Sequence, residues 1–263
     1  MNPIHLSAAD LALASVLVLL QAGASMALRL DLHRQVLWSA VRMVVQLLLV
    51  GWVLRQVFAA SSALATGVVV ALMIVAAARE VAVRPRQRLS RAGNHRIGAF
   101  VVALASLSTV ALALSTAIRP EPWYDPRYAI ALMGIVLGSV LNAASLGLDG
   151  FLGSVVSERG AIEGRLALGA TIQEAMSPLV RGSIRRGLIP IVNQMSAAGL
   201  ITLPGIMTGQ ILAGMDPAEA AKYQILLLFL LTGASGLAAA GAVLLAARAL
   251  TDGRQRLRLD RLR

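Results

Sequence analysis

Seven apolar runs govern what this chain can become. They fall near residues 6–28, 36–57, 62–78, 97–118, 128–148, 188–212 and 223–247. About 20 residues of apolar helix are enough to cross the hydrocarbon core of a bilayer. Composition agrees: 57% of the 263 residues are hydrophobic and only 14% are charged, where a soluble domain carries roughly a quarter. The reading is an all-α, polytopic integral membrane protein of about seven transmembrane helices, organised as one transmembrane domain over residues 1–263. The third run is the shortest. No Lys or Arg precedes Arg29, so the first run lacks the basic leader of a secretory signal and reads as a retained span.

Arginine sets the orientation. Of 24 basic residues 23 are arginine, Lys222 being the one lysine, and the net charge is +11. One set of connections holds Arg29 and Arg34; Arg79, Arg84, Arg86, Arg88, Arg91 and Arg96; Arg159, Arg165, Arg181, Arg185 and Arg186; and Arg248, Arg254, Arg256, Arg258, Arg261 and Arg263. The alternate set holds only Arg55, Arg119, Arg127 and Lys222. The positive-inside rule puts the first set in the cytoplasm. The N-terminus is then outside and the C-terminus inside, as an odd number of spans requires. The outer connection 118–127, IRPEPWYDPR, places Trp123 and Tyr124 at interfacial depth. The basic tail, 248–263, reads as a topology anchor with a frayed end, and its charge also suits anionic lipid.

Several function classes drop out. The basic charge has no interleaved aromatics, so no nucleic-acid partner is expected. Cysteine is absent, which removes disulfides, thiolate metal sites and thiol nucleophiles. A P-loop needs Lys followed by Ser or Thr, and Lys222 is followed by Tyr223. The chain is therefore expected to bind no nucleotide or other cofactor, and energy must come from a partner or an ion gradient. Gly233-Ala-Ser-Gly236 has the form of a rhomboid protease serine motif, but such a serine needs a base. The three histidines, His5, His33 and His95, all lie early in the chain. Helix packing by small residues explains the tetrapeptide, and no catalytic residue is assigned.

The segment 150–187 is the longest cytoplasmic connection and the most soluble-looking part of the chain. From Glu158 onward Ile162, Leu166 and Ala170 recur at four residues, and Leu168, Ile172, Ala175 and Leu179 continue an apolar stripe. Gly169 interrupts it, and Thr171-Ile-Gln-Glu174 spells a capping box that starts a new helix. Ser177-Pro178 repeats a helix-start signal. The pattern predicts a helix, an elbow, a short helix, and a third helix entering the membrane at Leu188. Two roles suit it: an elbow that receives force from a soluble motor, or an amphipathic helix lying on lipid.

A resemblance bears on that choice. Glu163-Gly-Arg-Leu-Ala-Leu-Gly169 resembles the EAA loop through which permeases of ABC transporters contact their ATPase. Arg165 stands where that loop has a second small residue, and the later apolar-x-Leu-Pro element appears only at Leu188-Ile-Pro190. The run ERGAIEGRLALGATIQEAMSPLVRGSIRRGLIPIVNQM, with GLITLPGIMTGQILAG, KYQI and VRMVVQLLLVGWVL, is similar to the FetB-type iron-export permease family, whose wider membership includes plant proteins tied to aluminium tolerance. The similarity covers nearly the whole chain. It implies a bacterial inner-membrane permease subunit exporting metal, with iron first among candidates, driven by a separate ABC ATPase that carries the ATP and Mg. It also implies that Glu158, Glu163, Gly164, Leu168, Gly169, Ala170, Thr171 and Glu174 form the ATPase-coupling surface. A gradient-driven carrier or channel is the alternative.

Polar residues inside spans mark a candidate path. Arg42 and Gln46 lie one turn apart on the second run, Asn142 sits deep in the fifth, and Asn193, Gln194 and Met195 follow Pro190. Pro204, Met207, Thr208 and Gln210 occupy the outer half of the sixth run. A proline frees the carbonyl four residues back, and such carbonyls persist in a membrane only inside protein or against water. The sixth run, faced by Asn142, is expected to line the path, with oxygen ligands plus Met195, Met207 and Asn193 as candidate metal contacts. Interhelical packing is the competing role for all of them, as snorkelling is for Arg42. Gly134-xxx-Gly138, Gly205-xxx-Gly209 and the small-residue run 233–242 invite close helix approach. Seven spans are few for a whole ABC pore, so two copies with two ATPases are expected.

Overall fold

In the computed structural model, residues 7–60, 62–90 and 93–262 are described; His5, Arg91 and Arg263 lie outside them. The chain divides into two compact units, residues 1–61 and 62–263. Six helices among the described residues are long and apolar enough to cross a membrane.

The first unit is a hairpin of α1 (Ala8–Ala27) and α2 (His33–Ala60). Ser7 and Asp10 form a reciprocal cap at the start of α1. At its end Arg29 adopts a left-handed φ of 53°. The Leu30 N–H then reaches Ser25 O at 2.9 Å, closing the helix as glycine would.

The second unit contains α3 (Ala63–Val83), α4 (Gly93–Leu112), α5 (Pro126–Ser157), α6 (Arg159–Ala167), α7 (Ile172–Ala197), α8 (Gly205–Leu212) and α9 (Pro217–Ala249). A π-helical turn, Ala113–Ile118, follows α4. Both α5 and α9 start on Asp-Pro. Asp125 accepts from the Arg127 N–H, Asp216 accepts from those of Ala218 and Glu219, and proline takes the first helical position. The core is the seam of α5, α7 and α9, backed by α3 and α4. Phe151, Leu148, Leu152 and Val155 of α5 and Ala238, Ala239, Ala242 and Ala246 of α9 are all wholly buried in one core cluster. Within lipid there is little hydrophobic drive between helices, so association depends on how closely they pack.

Gly187 marks the closest approach. A Cβ there would lie 2.6 Å from Ala143 O and 2.9 Å from Ala239 Cβ, while one on Gly147 would lie 3.2 Å from Val243. The glycines singled out by spacing behave differently. Gly138, Gly205 and Gly209 face open space within this chain, and Gly134 meets only the Met73 methyl, at 3.4 Å.

The region expected to form the 188–212 span is discontinuous. It comprises the last third of α7, a turn at 198–204, and α8. Gly199 takes φ +86, its N–H donates to Thr202 O at 2.9 Å, and the N–H groups of Ile201 and Thr202 return to Ala197 O. The break therefore satisfies most of its own backbone, as membrane depth requires. Pro204 caps α8 and does not kink a helix.

Described arginine-rich connections of this unit gather at one end. The Arg86 N–H donates to Asp149 Oδ1 (2.9 Å), the Ser90 N–H to Arg261 O (2.6 Å) and the Ile172 N–H to Gln255 Oε1 (2.9 Å). These bonds tie the α3–α4 connection, α5, α7 and the tail together. By the positive-inside rule this is the cytoplasmic end.

The tail is not a frayed anchor. Leu257, Leu259 and Leu262 pack on the core, and Arg258 N–H donates to Leu250 O at 2.8 Å. Arg261 Nη1 donates to Ala249 O at 2.6 Å and Thr251 O at 3.2 Å. The Arg258 guanidinium, bonding both oxygens of Asp260 at 2.8 Å, pulls that carboxyl down to about 2. Charge alone reads this segment as solvated; its alternating leucines make it a clasp. Ending the chain at Leu250 is expected to cost roughly 3 kcal/mol, from a lost helix-cap bond and three partly buried leucines. The melting temperature of the detergent-solubilised chain measures this; an unchanged value would show that the clasp contributes nothing.

Candidate functional site

Two places on the second unit have the chemistry of a working site: the α6–α7 elbow at the arginine-rich end, and a polar notch halfway along α5 and α9 and toward the end of α7.

The elbow is built by two caps back to back. Gly169 has φ +92, a conformation that costs an L side chain about 1–2 kcal/mol. Its N–H donates to Leu166 O (3.0 Å) and that of Ala170 to Arg165 O (3.1 Å), the paired bonds of a Schellman ending. Two residues on, the Glu174 N–H donates to Thr171 Oγ1 (3.3 Å) and the Thr171 N–H to Glu174 Oε2 (2.8 Å). The capping box legible in the sequence is present. Those bonds, the Thr171 backbone N–H foremost, hold the Glu174 carboxyl below its ordinary range. A depressed carboxylate stabilises the cap above its unfolded-state range, and that stability is lost as falling pH protonates it.

Inward, Ile162 is wholly buried and Leu166 packs on the core. Arg165 Nη1 crosses from α6 to donate to Ala175 O at 3.0 Å. The residue that departs from the EAA pattern thus staples the two arms of the elbow together. Outward, Glu158, Glu163, Gly164, Gly169, Thr171 and Glu174 are exposed and Ala170 is half-buried. Glu163 is paired with Arg159 at 2.7 Å. Leu168 stands at the tip, 90% exposed. Beside the elbow, between the first half of α7 and the end of α9, runs a groove of about 520 Å³ lined by Met176, Val180, Leu244, Arg248 and Asp252 among others.

In one respect the segment corrects its sequence reading. No helix starts at Ser177-Pro178 or Leu188; α7 runs unbroken from Ile172 to Ala197 through Pro178 and Pro190. Each proline forfeits one backbone bond. Packing of α7 against α5 and α9 outweighs the loss, so one continuous helix runs from the elbow to the turn at 198–204.

The notch is a cavity of about 50 Å³ lined by Ser139, Asn142, Ala143, Gly187, Pro190, Ile191, Gln194 and Ser235. Two of the expected path residues, Asn142 and Gln194, thus share one site, and both are exposed at its mouth. Ser139 was not singled out by sequence, and Ser235, the serine of the Gly233–Gly236 tetrapeptide, was assigned to helix packing rather than to the path. Their signal was weak, since a hydroxyl within a span usually bonds its own helix, as Ser106 does to Val102 O at 2.6 Å.

Other expected path residues lie elsewhere. Asn193 is exposed on an adjacent face of α7. Met195 turns toward α9, its sulfur 3.2 Å from Thr232 Oγ1. Met207, Thr208 and Gln210 sit half-buried on α8; Thr208 Oγ1 donates to Pro204 O (3.2 Å), and Gln210 Oε1 is buried without a partner. Arg42 and Gln46 belong to the first unit, one turn apart on α2. Among the described residues no three His, Asp or Glu side chains group as a metal-ligand cluster.

Comparison with known proteins places this arrangement in a family. The family described as "Uncharacterised protein family (UPF0014)" matches residues 8–251. The UPF0014 membrane protein slr1647 of Synechocystis is 39% identical over 204 residues, 77% of each chain. The "Probable iron export permease protein FetB" of Escherichia coli is 32% identical across 100% of this chain and 99% of its own. "Protein ALUMINUM SENSITIVE 3" of Arabidopsis thaliana is 27% identical over 85% of this chain and 80% of its own. No solved structure matches the chain.

Proposed function

The chain belongs to the UPF0014 family of membrane proteins, and on that premise we propose that it is the pore subunit of an ATP-driven exporter whose cargo is a metal, iron first among candidates. A separate ATPase grips the elbow, and α7 carries the stroke to the notch. The observation that carries this reading is Leu168. Two rigid caps, a buried Ile162 and the Arg165–Ala175 bond hold a 90% exposed leucine out from a charged surface. Lipid would take such a side chain on a helix lying flat; here the elbow presents it end-on, as a knob for a protein groove. The cargo follows from the name of the Escherichia coli relative. The home of the complex is then a bacterial inner membrane.

Two copies of the chain complete the pore. Gly138 and Asn142 are exposed in the middle of α5 and Gln194 in the last turn of α7, and amides facing hydrocarbon are costly. A second copy, opposing the same face, covers them and leaves the path between.

Affinity capture of the tagged chain from its own membranes, wild type beside Leu168→Arg, tests both points. A Walker-motif ATPase is expected with wild type and reduced about tenfold or more with the variant, as for loss of an interface anchor. The native mass of the wild-type complex should contain two pore chains. If membranes that express such an ATPase yield none with either protein, a gradient-driven carrier replaces this reading; a single pore chain per complex would overturn the dimer.

A further inference from the structure

We infer that the cargo crosses this chain as an anionic metal complex, the metal wrapped by carboxylate- or phosphate-type ligands, and not as a bare cation. The inference rests on the metal-export reading and narrows its substrate. Each of the thirteen acidic residues lies in a connection, at a helix end or within the arginine-rich end of the second unit; none lines the notch. A bare divalent or trivalent ion at that depth would meet hydroxyls, amides and backbone carbonyls, which leave its charge uncompensated in a medium that penalises charge heavily.

The approach to the notch points the same way. Arg181, Arg185 and Arg186 occupy the half of α7 between the elbow and the notch, are exposed, and form no ion pair among the described residues. Arg186 lies on the α5–α7 seam: its Nη1 is 3.4 Å from Ser154 Oγ, and its side chain covers Gly150 at 3.3–3.4 Å from where a Cβ would be. Pro190 and Gln194 continue the Arg186 stripe one and two turns further on. A cytoplasmic cation would have to pass these guanidiniums against repulsion. A complex with negative oxygens would be drawn in, since clustered like charge concentrates counter-ions. At the notch, the amide N–H groups of Asn142 and Gln194 and the hydroxyls of Ser139 and Ser235 can donate to ligand oxygens. The notch admits one such oxygen, and its open mouth leaves the rest of the complex in the groove between copies. Orientation by charge explains why arginines lie at this end, but not why Arg186, without an ion pair, lies on the seam leading to a polar notch.

Inside-out membrane vesicles carrying the chain with its native partners would be given ATP and radioactive iron, as ferric citrate or as Fe²⁺ held reduced by ascorbate. Uptake is expected to be about tenfold or more faster from ferric citrate. Arg186→Gln should cut that rate about tenfold and Arg186→Lys restore part of it, as for loss of a charge-assisted contact. Equal uptake of the two forms by the wild type, or citrate-form uptake indifferent to Arg186→Gln, overturns the inference and leaves metal export standing. No uptake of either form, by vesicles whose ATP hydrolysis still depends on the chain, overturns the metal-export reading and the inference with it.

Discussion

Gly187→Leu is expected to leave almost no folded protein. The site is the crossing of α5, α7 and α9, where even one added carbon would sit 2.6 Å from the Ala143 carbonyl oxygen and 2.9 Å from Ala239 Cβ. The first obstacle is backbone inside a helix, so no rotamer change relieves it. Overpacking a tight core costs typically 1–3 kcal/mol per small insertion. A whole isobutyl group against two fixed helices should exceed about 3 kcal/mol, much of the stability of a marginal fold. Gly182→Ala is the control: it lies on the same helix, an added Cβ meets nothing within 4 Å, and helix propensity predicts a gain of about 0.5–1 kcal/mol. Size-exclusion profiles and melting temperatures in detergent read both. A monodisperse Gly187→Leu protein melting within a degree or two of wild type would show that the three helices can separate there.

Gly187 also shows where reading by sequence stops. Spacing drew attention to Gly134, Gly138, Gly205 and Gly209, since small residues four apart mark a helix-packing face. Within one chain three of these four meet nothing. The crossing instead uses Gly147 and Gly187, which lie on different helices and have no shared period. A glycine's partner across an interface is a property of topology, and local pattern does not contain it.

Local signals were legible where the physics is local. The two caps of the elbow follow from residues within five positions of each other, and both are in place. Apolar runs located most of the long helices for the same reason, since bilayer thickness sets the minimum apolar length of a span. Pro178 and Pro190 misled because a proline's local cost was weighed without the tertiary packing that offsets it. The region 198–204 misled in the opposite direction: apart from Thr202 it carries no polar side chain, so hydropathy ran straight across a turn. The tail was read by its charge, when Leu257, Leu259 and Leu262 decide its position. Of the notch, sequence supplied Asn142 and Gln194 because amides in a span are conspicuous. Ser139, and the place of Ser235 at the notch, became visible only once α5, α7 and α9 were set side by side.

The second large effect is expected at Gly169, and its size should follow backbone conformation more than side-chain bulk. At φ +92 a β-branched residue is strongly disfavoured, alanine carries a penalty of about 1–2 kcal/mol, and asparagine carries less because its side chain tolerates left-handed backbone. Space is not the constraint, for a Cβ on Gly169 would meet nothing within 4 Å. Losing the turn releases the Ala170–Arg165 bond and lets α6 swing away from α7, so Leu168 is no longer held out. ATPase recovered with the tagged chain, and ATP-driven metal uptake in vesicles, should therefore fall in the order Gly, Asn, Ala, Val, with Val about tenfold or more below wild type, the loss that 1.4 kcal/mol at the turn produces. Gly160→Ala, nine residues earlier, inside α6, equally open and outside the proposed coupling surface, should leave coupling near wild type. If Gly160→Ala proved as damaging as Gly169→Ala, the segment would be sensitive to any added side chain and the left-handed turn would have no special part. If Gly169→Val coupled as well as wild type, the elbow would not be the place where force enters this chain.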